Sequence, residues 1–141
     1  MPDFTSIRVY LDSNVLFSAS YKPDSEFLDL WTLHHVTPVT SQYAVGEVSR
    51  NIKTIRHRES FETLLARMQF VSDADIRYIP KTITLAPKDQ PILATAIFSS
   101  VEFLVTGDSN HFGHLYNTTV AYVQILRPTD FLRLHKDRLI R

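Results

Sequence analysis

The sequence predicts an α/β protein, a parallel sheet covered by helices on both faces. Three observations carry this. Short apolar runs of strand length, 7–11, 36–39, 103–106 and 123–126, alternate with stretches of helical period. Two of the runs end in an aspartate, in Tyr10-Leu11-Asp12 and Val105-Thr106-Gly107-Asp108. With 141 residues, 44% of them hydrophobic, and no repeat or linker-like stretch, the chain suits one domain over residues 1–141 with a sizeable core. Ligands of open α/β sheets bind outside the carboxyl ends of the strands. If the two strands are neighbours, Asp12 and Asp108 face each other across one cleft there.

In order, residues 7–11 form the first strand and Ser13 to about Ser20 a short helix. Pro23 breaks the chain, and Asp24 or Ser25 caps a helix carrying Phe27, Leu28, Leu30 and Trp31. Residues 36–39 form a second strand, and Pro38 argues against a central place for it. Thr40 or Ser41 caps a helix to about Ile55, with Ala44, Val45, Val48 and Ile52 on its apolar face. Gly46 within it costs about 1 kcal/mol relative to alanine and is expected to permit close approach of another backbone. Phe61, Leu64, Leu65 and Met68 mark a further helix, and residues 77–79 a third strand. Asp89, with Pro91 in the first turn, opens a helix buried through Ile92, Leu93, Ala96 and Ile97. The fourth strand covers 103–106 and the fifth 123–126; Thr129 caps a last helix with Phe131, Leu132 and Leu139.

The chain has no cysteine, so disulfides, thiolate metal sites and cysteine nucleophiles are excluded, which fits a reducing cytoplasm. No apolar run reaches the ~18 residues of a membrane span, and Met1-Pro2-Asp3-Phe4 does not resemble a signal peptide. Basic and acidic residues balance at 15 each. If four acids share one site, 11 acids remain against 15 basic residues, or +4 elsewhere, which suits an enzyme acting on a polyanion.

Four acids are placed to share a site: Asp12 and Asp108 at strand ends, Asp89 at a helix start and Glu47 on a helix face. Carboxylates brought together repel, and a divalent cation removes the conflict. Oxygen donors without cysteine favour Mg²⁺ or Mn²⁺. On this reading Asp12 and Asp108 bind the main ion, and Glu47 and Asp89 complete it, bind a second or position the water. Ser13, Asn14 and Thr106 orient carboxylates or substrate. Taken singly, Asp89 also reads as a helix cap, Glu47 as solvated surface paired with Arg50, and Asp108 as a turn residue.

These residues resemble the PIN-domain family of metal-dependent nucleases. Leu11-Asp12-Ser13-Asn14-Val15-Leu16 resembles that family's first motif, and Ala44-Val45-Gly46-Glu47-Val48 its helical glutamate motif. Lys88-Asp89-Gln90-Pro91-Ile92-Leu93-Ala94 resembles the third, and Val105-Thr106-Gly107-Asp108-Ser109-Asn110-His111 the fourth. The resemblance implies a three-layer α/β/α fold whose five-stranded parallel sheet has the order 3-2-1-4-5. It implies Mg²⁺- or Mn²⁺-dependent endoribonuclease activity, with Asp12, Glu47, Asp89 and Asp108 as the catalytic and metal-binding acids. It also implies the toxin role of small VapC-like members, often homodimers with an antitoxin partner. Some members carry a further acid shortly after the fourth aspartate; here Asn110 and His111 stand there. His111 reads as a structural or surface histidine, with phosphate contact or proton transfer as the alternative.

Arg50, Lys53, Arg56, His57 and Arg58 cluster after Glu47. As RNA phosphate contacts, Arg50, Lys53, Arg56 and Arg58 would be salt-sensitive and sequence-blind. The bland alternative is a solvated helix end whose cations complement the dipole. No aromatic RNA-recognition motif is present, so base specificity is unreadable. A haloacid-dehalogenase-type phosphatase needs acids where Asn14 and Phe112 stand, and a response-regulator receiver needs an acidic pair that Asp12 lacks. The rival of another class is a non-catalytic PIN-like module that binds RNA or protein.

Overall fold

The computed structural model describes residues 5–140. Met1 to Phe4, where no signal peptide is expected, and Arg141 of the basic tail lie outside them. The central strand β1 (Ile7–Leu11) pairs in parallel with β2 (Val36–Thr40) on one side and β4 (Phe103–Val105) on the other. β3 (Gln69–Phe70) flanks β2, and β6 (Val123–Leu126) flanks β4. The sheet has six strands, ordered β3-β2-β1-β4-β6-β5, because β5 (Thr119–Val120) adds antiparallel to β6 at the edge. Val9, Tyr10 and Leu11 are all buried. Successive strand residues face opposite sides, so helices cover both faces.

The order expected for the parallel strands holds, with three local corrections. Residues 76–78 form a 3₁₀ turn, capped by the Asp75 side chain accepting from the Arg77 N–H at 2.9 Å; the third strand is instead Gln69–Phe70. That strand is two exposed residues long and carries no alternation to read. β5 was hidden for a similar reason. Its turn to β6 uses Ala121 and Tyr122 at positive φ, 47° and 72°, in place of the usual Asn-Gly signal. β2 is not an edge strand despite Pro38, because β3 pairs only with Val39 and Thr40 and its ladder begins beyond the missing N–H.

Helix α1 (Ser13–Tyr21) follows β1, and Ser25 caps a 3₁₀ helix over Glu26–Trp31. The long helix expected after β2 is two. α2 (Gln42–Asn51) stops where Asn51 Nδ2 turns back to the Glu47 carbonyl at 2.9 Å. α3 (Ile55–Leu65) restarts behind Thr54, whose hydroxyl oxygen accepts from the His57 N–H at 3.1 Å. Gly46 meets no foreign backbone: a Cβ there would touch only the flexible end of Arg50, at 3.3 Å.

α4 (Gln90–Phe98) is buried all round from Ile92 to Ala96. α5 (Ser109–Phe112) follows β4. α6 (Pro128–Leu134) starts with Pro128 behind Arg127 rather than with a Thr129 cap, and Leu139 lies beyond it, bridging to Leu33. No helix among the described residues is long and apolar enough to cross a membrane.

Candidate active site

Asp12, Asp89 and Asp108 each stand immediately before a helix, and each uses that place differently. Asp12 ends β1 and is 3% exposed. Its Oδ1 accepts from the Ser13 N–H at 2.7 Å, and its Oδ2 accepts from the Thr106 hydroxyl at 2.8 Å. Thr106 reaches across because β1 and β4 are paired, with Leu11 opposite Val105. The same Thr106 oxygen accepts the Asp108 N–H at 3.1 Å. One hydroxyl therefore joins the two strand ends. A second tie runs from the Gly107 N–H to Asn14 Oδ1 at 3.0 Å. Tyr116 anchors the crossing from below, its hydroxyl donating to the Thr106 carbonyl at 2.8 Å.

Asp108 caps α5 by accepting from the His111 N–H at 3.2 Å, and its Oδ2 pairs with His111 Nδ1 at 2.8 Å. Asp89 makes no cap bond. Its side chain, 7% exposed, is directed into the site. There Oδ2 is buried with no hydrogen-bond partner. His111 Nδ1 is 3.0 Å from that oxygen but makes its hydrogen bond to Asp108. Lys88 Nζ stands 3.7 Å from the other Asp89 oxygen. Ligand atoms of Asp89, Asp108 and His111 lie within 4.8 Å of one another. His111 is thus neither a stray surface residue nor a core one; it lies between two of the acids.

Burial pushes the Asp12 carboxyl up to about 6, against the lowering pull of the Thr106 and Ser13 hydrogen bonds; the charges of Glu47 and Asp89 add to the rise. Burial also raises Asp89, and Lys88 and His111 offset part of that. Both shifts have the same origin. Negative charge is gathered where water cannot screen it, and the described residues supply less positive charge than it calls for.

Glu47 borders an open groove of about 650 Å³ together with Ser13 and Asn14, so it shares the site's rim. It forms no ion pair with Arg50 among the described residues. Lys53 lines the same groove. Arg50 and Arg56 are exposed, whereas the Arg58 guanidinium is half-buried against the Ser49 hydroxyl and carbonyl, both at 3.3 Å. His57 leaves the basic cluster: it is buried, its Nε2 2.9 Å from Ser20 Oγ. The Ser20 hydroxyl also reaches the Leu16 carbonyl at 2.7 Å. The sequence singled out His111 but not its place between two acids, and nothing in it pointed to Tyr116. His111 stands three residues after Asp108, a helical-turn spacing, but its approach to Asp89 is set by the fold, and Tyr116 finds Thr106 only because the chain folds back over ten residues.

A PIN domain family model matches residues 8–110. The chain belongs to the PIN-domain family. The match runs from within β1 to the residue pair after Asp108, so all four acids fall inside it. No curated protein matches significantly. Among solved structures, this PIN domain is similar to the crystal structure of VapBC2 from Rickettsia felis bound to a DNA fragment from their promoter. The TM-score is 0.63 at 16% identity, over 86% of this chain and 98% of that one, a likeness of fold.

The donor set of this PIN domain fits a divalent metal ion. An orphaned, buried carboxylate oxygen calls for a partner. Asp89 and Asp108 offer hard oxygen atoms beside His111, and no thiolate competes.

Proposed function

We propose that this PIN domain is a Mg²⁺- or Mn²⁺-dependent endoribonuclease, acting as the toxin of a toxin–antitoxin pair. The observation that carries the reading is Asp89 Oδ2: a buried carboxylate oxygen without a hydrogen bond, beside Asp108 and within electrostatic reach of the buried Asp12. A fold needs no such group. A helix cap is the ordinary use of an aspartate at that position, and Asp89 does not cap. The toxin role rests on the fold shared with a VapBC2 complex.

Asp89 and Asp108 would hold the ion, with Asp12 and Glu47 completing its surroundings. A bound divalent ion supplies Lewis acidity, lowering the pKa of the attacking water and stabilising the leaving oxygen. The protein's own part is orientation. Thr106 and the Ser13 N–H fix both oxygens of Asp12, so the carboxylate keeps one direction through the reaction. Asn14 and Thr106 hold the ends of β1 and β4 at a fixed separation. Lys53, which lines the groove with Glu47, and the exposed Arg50 and Arg56 would supply positive charge for the substrate backbone. A dipole role does not account for Arg56: it lies in the first turn of α3, where a cation is unfavourable. Phosphate contact gives it a reason.

The test is cleavage of mixed single-stranded RNA with Mg²⁺, Mn²⁺ or EDTA, with Asp12→Asn and Asp89→Asn beside the wild type. Cleavage that needs both the metal and the carboxylates is expected. Wild-type cleavage by either variant overturns the assignment. Metal-independent RNA binding by a well-folded protein that never cleaves replaces the nuclease with a binding module.

A further inference from the structure

The groove beside the acids has walls that phosphodiester chemistry does not require. Phe17 and Tyr21, one turn apart on α1, lie nearly parallel, with ring centroids 5.8 Å apart and planes 12° from each other. Both line the groove, as do Glu47 and Val48. Tyr21 is 60% exposed, which is unusual for a ring with an apolar neighbour to pack on. The pair is nevertheless held firmly. The buried His57 ring meets both edge-on, at 4.6 Å from Phe17 and 5.3 Å from Tyr21. Ser20 fixes His57 in turn through Nε2.

We propose that this groove receives a nucleobase of the RNA substrate, from a nucleotide next to the scissile phosphate, stacked against Tyr21 and Phe17. The proposal rests on the nuclease reading above. Its support is chemical and positional. The groove is continuous with the acid site, since Ser13, Asn14 and Glu47 belong to both. Its volume of about 650 Å³ lies within the range of about 300–1,000 Å³ typical of small-ligand sites.

Every base has a π-face, and aromatic side chains are the usual platforms for unpaired bases. Lys53 at the rim is placed for a phosphate of the same strand. Two amides offer hydrogen bonds to a base edge. Asn14 uses its Oδ1 on Gly107 and keeps its NH₂ donors; Asn51 uses its Nδ2 on the Glu47 carbonyl and keeps its Oδ1 acceptor. One donor and one acceptor among aromatic walls describe a base-reading subsite rather than a general anion groove. The basic cluster alone would bind RNA without regard to sequence; this pocket gives the same site a preference.

The experiment uses the full chain with Mg²⁺ and a set of short single-stranded RNAs, each carrying one abasic nucleotide at successive positions around the cut. Wild type, Tyr21→Ala and Tyr21→Phe are compared, with thermal melting to confirm that each is folded. In the wild type, one abasic position beside the cut is expected to raise KM roughly tenfold, from the loss of one stacked base. Tyr21→Ala is expected to raise KM on intact RNA by a similar factor, to leave kcat nearly unchanged, and to be indifferent to that abasic position. Tyr21→Phe, which keeps the ring, restores the wild-type pattern. A Tyr21→Ala enzyme with wild-type KM and the wild-type abasic profile overturns the base pocket while leaving the nuclease reading intact. A wild-type protein that cuts no RNA with either metal overturns both.

Discussion

Replacing Asp12 by asparagine should make the metal-free protein more stable at neutral pH relative to acid pH, although it removes a central residue of the site. Burial raises this carboxyl from 3.8 to about 6 in the folded chain. The native state therefore binds the proton more tightly than the unfolded state does. The stability of the wild type is highest below the unfolded value, falls as pH rises through the interval between the two, and stays at its lower level above about 6. A shift of this size corresponds to roughly 3 kcal/mol. Asparagine has nearly the same volume and no charge to desolvate.

The asparagine carries a pH-independent cost, because an amide matches only in part a carboxylate that accepts from both Ser13 and Thr106. The change between two pH values removes this constant. Urea unfolding in EDTA at about pH 4.5 and pH 7.5 should show the variant gaining on the wild type by about 2 kcal/mol, since part of the full difference is already lost at pH 4.5. Mg²⁺ at the higher pH should stabilise the wild type and leave the variant nearly where it was. An equal difference at both pH values, or one that runs the other way, would refute the claim that Asp12 is a buried carboxylate under electrostatic load.

Other predictions follow from local geometry. Thr106→Val removes the hydroxyl that donates to Asp12 and accepts from Asp108, and should cost about 1–3 kcal/mol in urea unfolding at neutral pH; a neutral result would mean that the crossing is not structural. Gly46→Ala should stabilise by about 1 kcal/mol, since the new methyl meets only the movable end of Arg50; destabilisation would show that Arg50 cannot give way. Tyr122→Gly should raise the melting temperature, because this ring is 95% exposed and its backbone sits at positive φ; a fall would contradict the turn assigned there. Lys53→Ala with Arg56→Ala should weaken RNA binding and flatten its dependence on salt, while an unchanged slope would place the phosphates elsewhere.

The parallel part of the sheet was legible because β1, β4 and β6 are buried runs with one meaning. Phe103–Val105 has neighbours on both sides and reads as a strand whatever lies around it. β3 and β5 were not legible, and for a different physical reason. Two-residue strands at sheet edges form because a neighbour offers a hydrogen-bonding rim, and that rim is a property of the fold rather than of Gln69-Phe70 or Thr119-Val120. The break between α2 and α3 belongs to the same class. Thr54 and Asn51 both suit helix ends, but in sequence they lie on a continuous amphipathic pattern, and only the packing of α3 against α1 selects the break.

The site shows the same division. The identity of the carboxylates was readable, but their use was not. An aspartate before a helix has a ready explanation in the helix itself, and Asp108 fulfils it, capping α5 through the His111 N–H. Asp89 stands in the same local context and declines the cap, turning its oxygen into a buried place where it accepts no hydrogen bond and stands 3.0 Å from His111 Nδ1, which is bonded to Asp108. The two have equal propensity for the capping role, so the difference has to come from tertiary position. α4 is buried all round from Ile92 to Ala96, and Asp89, the residue before it, is delivered close to Asp108 and within electrostatic reach of Asp12. A protein selected only for stability would relieve that oxygen with a donor or remove it by substitution, since an unsatisfied buried carboxylate costs more than a missing cap. His111, shared between Asp89 and Asp108, meets that need only in part, and a divalent cation would satisfy Asp89 and lower the load on Asp12 together.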